Sequence, residues 1–296
     1  MKILLLGKNG QVGWELQRSL APLGELVALD RSSRNPGGDL TALDEISETV
    51  RSLRPDVIVN AAAHTAVDKA EGEPLLARTL NALAPARLAH EAQQIGAWLF
   101  HYSTDYVFDG SGTSPWSETD VASPLSVYGS TKFEGEQLIA AACERHVIFR
   151  TSWVYASRGG NFARTMLRLA QERERLTVID DQTGAPTGAE LLADVTAHAI
   201  RHVMQRPSEA GVYHLAAAGE TTWHGYAEYV LKTALQLKPE LKLLARDVAP
   251  VPTSAFPTPA RRPHNSRLDC SRLEGTFGLT MPGWQRGVFR MLSEIL

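Results

Sequence analysis

Met1-Lys-Ile-Leu-Leu-Leu-Gly7-Lys-Asn-Gly10-Gln-Val-Gly13 opens the chain, and its reading decides the fold. The apolar run breaks at Gly7, before it reaches the length of a membrane span or a signal-peptide core, so it reads as a buried strand over Lys2–Leu6. Glycines at positions 7, 10 and 13 permit a tight turn and close backbone approach. A helix predicted over Gln11–Leu20 then points its N-terminus at whatever lies above the turn, an arrangement suited to a pyrophosphate. Gly7, Gly10, Gln11, Val12 and Gly13 are the first cofactor candidates. A second strand, Leu26–Asp30, ends on an acid that can accept hydrogen bonds from an adenosine ribose. Arg31 and Arg34 follow it and suit a 2′-phosphate. Asp30 therefore argues for NADH and the arginines allow NADPH.

Outward from this unit, strands and helices alternate: helix Ala42–Leu53, strand Asp56–Ala61, a long helix Pro74–Ile95, strand Trp98–Thr104, helix Leu125–Ala142 and strand Val147–Tyr155. The pattern predicts a doubly wound, Rossmann-like parallel sheet of the α/β class, with ligands at the carboxyl ends of its strands. Residues 1–156 are read as the dinucleotide-binding domain. Strands near 176–182 and 211–216 are expected to return to it, with helices at Phe162–Glu172 and Ala189–Met204. Residues 157–296 read mainly as a smaller, interleaved α/β lobe that binds substrate. The proline-rich stretch Pro250–Pro263 cannot hold a regular helix. The apolar stripe of Ala189–Met204 is either core packing or a seam between two copies.

Further cofactor candidates follow from the strand ends. Asp39, next to Leu40, either bonds an adenine amino group or caps the helix at Ala42. Ala63, His64 and Thr65 follow the small-residue strand end Asn60-Ala-Ala-Ala63, which lets a cofactor lie against the backbone. His101-Tyr-Ser-Thr-Asp-Tyr106 ends the fourth strand, and places Tyr102, Thr104 and Asp105 on the ligand side. Tyr128-Gly-Ser-Thr-Lys132 puts a phenol and an amine on one helix face. A nearby ammonium favours phenolate, so Lys132 is expected to draw the Tyr128 pKa from about 10 toward neutrality and make it a proton donor.

Together, the glycine loop, Asp30, Asn60-Ala-Ala-Ala63, Ser103-Thr-Asp105 and Tyr128-x-x-x-Lys132 resemble the extended short-chain dehydrogenase/reductase family. The resemblance implies Tyr128 as acid/base, Lys132 as its partner and ribose ligand, and Thr104 as the hydroxyl holding the reacting oxygen. Dehydratases of that family follow the threonine with Asp-Glu; Asp105-Tyr106 lacks the glutamate, which disfavours elimination. The longer strings His101–Gly110, Val127–Lys132, Arg150–Tyr155, Asp181–Thr187 and Arg262–Arg267 resemble the branch that reduces 4-keto dTDP-sugars. The implied reaction is NAD(P)H-dependent reduction of dTDP-4-dehydro-6-deoxy-L-mannose to dTDP-L-rhamnose, a donor for bacterial surface polysaccharide. Trp153 is then sugar-facing or a core tryptophan, and Arg262 and Arg267 either clamp the substrate diphosphate, a task suited to a guanidinium, or are solvated loop charges. The resemblance also implies a homodimer and a magnesium site, with Glu15, Glu190 and Glu294 as matching carboxylates. A reductase or epimerase of another nucleotide sugar, or a non-catalytic nucleotide-binding regulatory subunit, are the competing expectations.

The bulk numbers agree with a soluble enzyme. A formal charge of −3 over 296 residues gives no electrostatic reason to expect nucleic acid. The two cysteines, Cys143 and Cys270, have no metal or redox spacing, which places the chain in the cytoplasm. No Gly-x-Ser-x-Gly elbow surrounds Ser103, so hydrolase chemistry is disfavoured.

Overall fold

Alternation at period two builds the centre of the molecule. In β1 (Lys2–Leu6), Ile3 and Leu5 pack on one face and Leu4 and Leu6 on the other, all four fully buried. Residues 1–296 are all described by this computed structural model. In chain order, β1 is followed by α1 (Gln11–Leu20), β2 (Glu25–Leu29), α2 (Leu43–Leu53), β3 (Val57–Asn60), α3 (Val67–Gly72) and α4 (Pro74–Arg78). A π-helical turn, Thr79–Leu83, joins α4 to α5 (Ala84–Ile95), and β4 (Trp98–Thr104), α6 (Val127–Ala142) and β5 (His146–Thr151) complete the first half. The long helix read over Pro74–Ile95 is thus interrupted.

The second half holds β6 (Val154–Tyr155), α7 (Phe162–Glu172), β7 (Arg175–Ile179), β8 (Thr183–Gly184), β9 (Thr187–Gly188) and α8 (Ala189–Val203). It continues through β10 (Gly211–His214), β11 (Thr221–Thr222), α9 (Trp223–Leu237), β12 (Asp247–Val251), α10 (Ser271–Phe277) and α11 (Trp284–Ile295).

Six parallel strands form the main sheet in the order β10-β5-β4-β3-β1-β2. The chain leaves β1 toward β2 on one side and returns to β3 on the other. Their carboxyl ends therefore flank a crevice, the place where open α/β sheets bind ligands. One face carries α1 and α8, whose Leu16, Leu20, Leu192 and Ile200 pack on Ile3, Val59 and Phe149. The other carries α2, α5 and α6, with Ile46, Val50, Leu88 and Ile139 on Leu4, Ile58 and Ile148. The apolar stripe of α8 is consumed by this packing and belongs to the core.

Two strand expectations are corrected. The strand near 211–216 does return to the sheet, as β10 beside β5. The strand near 176–182 does not: β7 pairs with β12 in a separate two-stranded sheet. Its buried Leu176 and Val178 face a second core with Met166, Val230 and Val288. The fifth strand also ends earlier than read. Trp153 takes a positive φ of 48° and breaks Val147–Tyr155 into β5 and β6.

Candidate active site

The glycine loop owes its shape to steric exclusion. Gly7 has φ +88°, and a Cβ there would lie 2.8 Å from the Ala62 nitrogen. A Cβ on Gly13 would sit 2.0 Å from the Gly7 carbonyl oxygen. Glycine at these positions lets β1, the strand end after β3 and α1 converge. Gly10 is the N-cap of α1 and supplies no side-chain acceptor, so the first-turn amides of α1 remain available to an anion. Gln11 reaches across to donate to the Gly160 carbonyl at 2.8 Å, and Val12 packs against the sheet.

Asp30 stands beside this loop, as expected. One carboxylate oxygen accepts from the Ser32 N–H at 2.9 Å and the Ser32 hydroxyl at 2.7 Å, and the other meets Asn9 of the glycine loop. The Ser32 bonds hold the carboxyl below its usual range. Arg31 is exposed, and Arg34 folds back onto the carbonyls of Arg31 and Ser33. Asp39 caps its own turn, accepting from the Thr41 N–H and hydroxyl through one oxygen. Leu40 is 3 % exposed and belongs to the core, which leaves only its main chain for a cofactor.

Past β3, Ala63 is half-buried and Thr65 exposed. His64 is pinned from both sides: its N–H donates to Asn81 at 2.8 Å and Nε2 lies 3.1 Å from Glu73. Tyr102 departs from expectation. Its hydroxyl bonds Thr196 of α8 at 2.6 Å, on the far face of the sheet, so it offers the site only its carbonyl.

The chemical centre lies where β4 ends against α6. Helix α6 starts there because Ser126 caps the Gly129 N–H and Glu71 accepts from the Val127 N–H. Thr104 is buried, and its hydroxyl donates to Asp105 at 3.1 Å while accepting from the Tyr106 N–H at 3.2 Å. Tyr128 packs edge-on to Tyr106, ring centroids 5.5 Å apart. Burial pushes the Tyr128 phenol up to about 12, the Thr104 hydroxyl opposes this, and the Asp105 charge adds to it.

That shift corrects the expectation of a lowered phenol. Lys132 is 2 % exposed and spends its contacts on the Tyr102 carbonyl and His101 Nε2, at 2.5 and 3.1 Å. Its ammonium is also disfavoured by burial, which brings Lys132 down to about 8 despite Glu136. The protein alone therefore keeps Tyr128 as a neutral phenol, which is the form that can give a proton to an alkoxide.

Asp105 is the second unusual acid. Burial raises it to about 6, opposed by hydrogen bonds from Ser266 and Thr104, and its Oδ2 has no close partner. The segment around Ser266 is threaded into place by main-chain bonds Thr183 N–H to His264 and Ser266 N–H to Thr183, at 2.7 and 2.8 Å. The same segment brings Arg262 to Asp68 at 2.7 Å, with the guanidinium Nε buried and unpaired near Tyr106. Trp153 stacks on Trp223 at 3.6 Å and 13°, over the bare backbone of Gly184.

One residue escaped sequence reasoning. Asn81 lies in the π-helical turn, fully buried, bonding the His64 carbonyl and the Thr131 hydroxyl of α6, each at 3.1 Å. A Cβ on Gly135 would meet the Asn81 carbonyl at 2.1 Å, so a glycine in α6 permits this bulge. Proline at position 85 and glycine at 135 were the only available signals. His101, on the strand end the sequence singled out, is buried between Asn60 and Lys132.

Glu15, Glu190 and Glu294 come together where α1, α8 and α11 meet, since Glu15 and Glu294 both act on Glu190. Arginines occupy them: Arg18 pairs with Glu15 at 3.4 Å, and Arg290 with Glu190 at 3.4 Å and Glu294 at 3.2 Å. No group of three or more histidine, cysteine or acidic side chains is placed to hold a metal ion. The carboxylates as arranged do not fit a magnesium ion.

A family profile described as "RmlD substrate binding domain" matches residues 1–296. The chain belongs to the RmlD family. A dTDP-4-dehydrorhamnose reductase from Shigella flexneri is 59% identical over 295 residues, covering 100% of this chain and 98% of its relative. A Clostridium acetobutylicum dTDP-4-dehydrorhamnose reductase structure aligns with TM-score 0.88 at 34% identity, covering 100% and 99% of the two chains. The Bacillus anthracis enzyme of the same name, solved in complex with NADP, aligns with TM-score 0.87 at 33% identity over 99% of each.

Proposed function

We propose that this chain is a dTDP-4-dehydrorhamnose reductase, reducing the C4 keto group of dTDP-4-dehydro-6-deoxy-L-mannose to dTDP-L-rhamnose. One observation carries the reading: a relative 59% identical along the whole chain bears that name. A bound reduced nicotinamide supplies the hydride. Gly7, Gly10 and Gly13 with the α1 amides suit its pyrophosphate, and Asp30 its adenosine ribose. Thr104 orients the keto oxygen, and Tyr128 donates its proton to that oxygen as negative charge develops. Lys132 steadies the resulting phenolate and holds the nicotinamide ribose. Trp153 and Arg262 contact the sugar nucleotide from the lobe.

NADPH fits through Arg31 and NADH through Asp30, so use of both is part of the proposal. No step is assigned to magnesium. A homodimer is carried on the family resemblance, and light scattering on the purified chain tests it. A cytoplasmic setting is supported by the free thiols of Cys143 and Cys270. No helix is long and apolar enough to cross a membrane.

The direct test supplies enzymatically made dTDP-4-dehydro-6-deoxy-L-mannose with NADPH or NADH, follows loss of reduced-cofactor absorbance, and identifies the product by NMR. Formation of dTDP-L-rhamnose supports the proposal. Turnover confined to another sugar nucleotide overturns the substrate, and cofactor binding without turnover of any 4-keto sugar overturns the reaction.

A further inference from the structure

Behind Lys132, the hydrogen bonds impose a proton count that the reduction itself does not require. Asn60 ends β3, His101 lies opposite it on β4 and bonds it, and Lys132 reaches His101 from α6. All three are at most 2 % exposed, so no solvent resolves a mismatch between them. The Ala62 N–H donates to Asn60 Oδ1 at 3.1 Å, which fixes which end of the amide is oxygen. Asn60 Nδ2 then faces His101 Nδ1 at 3.2 Å, and an amide nitrogen can only donate. Nδ1 is therefore the lone-pair nitrogen, and the single proton of a neutral imidazole sits on Nε2. Nε2 in turn faces Lys132 Nζ at 3.1 Å.

An ammonium has three donors and no acceptor, so it cannot take a hydrogen bond from Nε2–H. This arrangement suits the neutral amine, which accepts from His101 and donates to the Tyr102 carbonyl. The ammonium needs the other arrangement. The ring proton moves to Nδ1, the Asn60 amide turns to present its oxygen, and the Ala62 N–H loses its acceptor.

We propose that His101 is a positioning residue whose ring tautomer, set by Asn60, decides whether Lys132 keeps its proton. Passing between the two states releases one proton from Nζ to water and shifts the ring proton from Nδ1 to Nε2, with the imidazole neutral throughout. Burial supports this, since it keeps His101 well below the usual imidazole range and Lys132 at about 8. The other ionisable groups facing the pocket are few. Glu136, one turn along α6, favours the ammonium but is committed to Arg150 at 2.7 and 3.0 Å. Tyr128, one turn back, and Asp105 beside it complete the set. The lysine that must support a phenolate is thereby poised near its own midpoint and is not permanently charged. This deepens the reductase reading, yet its main test needs no substrate.

The full chain, ¹⁵N-labelled in its imidazole rings, is followed by long-range ¹H–¹⁵N NMR from about pH 6 to about pH 10. His101→Gln identifies the ring signals. The expected result is a neutral His101 whose proton moves from Nδ1 to Nε2 as the pH rises across that range. A ring that keeps one tautomer across the range overturns the proposal, whatever the substrate proves to be. Asn60→Asp sharpens it: a carboxylate only accepts, holds Nδ1–H and keeps Lys132 charged. The alkaline limb of kcat against pH should then move up by about one pH unit or more, a tenfold change in proton concentration. A profile superimposable on wild type also overturns the proposal, and if Asn60→Asp fails to fold the wild-type ring spectra decide alone.

Discussion

Lys132, Glu136 and Arg150 make their hydrogen bonds inside the six-stranded half, whereas Asp181, Thr222 and His264 make theirs at the surface of the C-terminal lobe. The first group sits at the carboxyl edge of parallel strands packed on both faces, where a charge is costly unless it is paired. Glu136 and Arg150 accordingly form a close, nearly water-free pair at 2.7 Å. The lobe instead joins short two-stranded sheets through loop bonds and an aromatic cluster, Trp153, Phe162, Trp223 and Tyr226. On the proposed mechanism the difference separates two tasks: proton transfer falls to groups held in low dielectric, where their affinities are shifted, and recognition of the sugar nucleotide to groups held by surface loop bonds.

The sharpest way to break this division is Tyr128→Phe. The substitution keeps the ring against Tyr106 and removes only the proton donor, so cofactor binding should persist. Turnover should fall by about a hundred- to ten-thousand-fold. Single-turnover rates together with cofactor titration by fluorescence check this, and near-normal turnover removes Tyr128 from the reaction.

Asp105 offers a pH-dependent version of the same test. Its folded-state value, about 6, lies above the usual value near 3.9. A raised carboxyl contributes stability that is fully present below the unfolded value and is lost as pH rises through the folded one. Wild type should therefore give up about 2–3 kcal/mol of that contribution between roughly pH 4 and pH 6. Asp105→Asn should flatten the profile and be more stable than wild type at neutral pH. Denaturant midpoints across that range measure it, and parallel profiles for the two proteins would show that Asp105 is not held protonated by the fold.

The lobe should respond differently. Trp223→Leu removes the ring stacked on Trp153, worth about 1 kcal/mol beyond its buried area. KM for the sugar nucleotide should rise about fivefold while kcat changes little, because the β4–α6 centre is untouched. Equal losses in kcat would mean that the lobe also positions the reacting carbon.

The same contrast explains what could be read from residues in order. In the sheet half, Lys2–Leu6, Gln11–Leu20 and Trp98–Thr104 form with the bounds their apolar patterns predict. Local patterning and packing agree there. Thr104, Asp105, Tyr128 and Lys132 were legible as a group because the alternation of elements puts strand ends on one edge. What was not legible depends on chain segments meeting at a distance. Leu176 and Val178 carry a strand pattern, but nothing local says that β12 and not β5 is their neighbour. The bulge holding Asn81 exists because Gly135 of another helix leaves it room. Trp153 breaks its strand with a positive φ that its side chain does not announce. The direction of the Tyr128 shift was misread because the spacing to Lys132 says nothing of His101 and Tyr102, which take the lysine's contacts.

Cofactor choice is the smallest effect and tests where rigidity ends. Asp30 stands at the rim of the rigid half, yet its partners Ser32, Ser33 and Asn9 are loop residues, and one of its oxygens is already filled by the Ser32 bonds. A ribose hydroxyl must share or displace the Asn9 contact at the other oxygen, so the net gain to NADH is one exchanged hydrogen bond to a charged acceptor, about 1–2 kcal/mol. A 2′-phosphate gains nothing from that carboxylate and is repelled by it. Asp30→Ala should therefore weaken NADH by about tenfold and leave NADPH unchanged or slightly tighter. Dissociation constants for both cofactors, measured at one ionic strength because the phosphate interaction is screened by salt, decide it. Equal losses for the two would mean that Asp30 shapes the loop and does not read the ribose, moving the boundary between the two regions inward to the glycines.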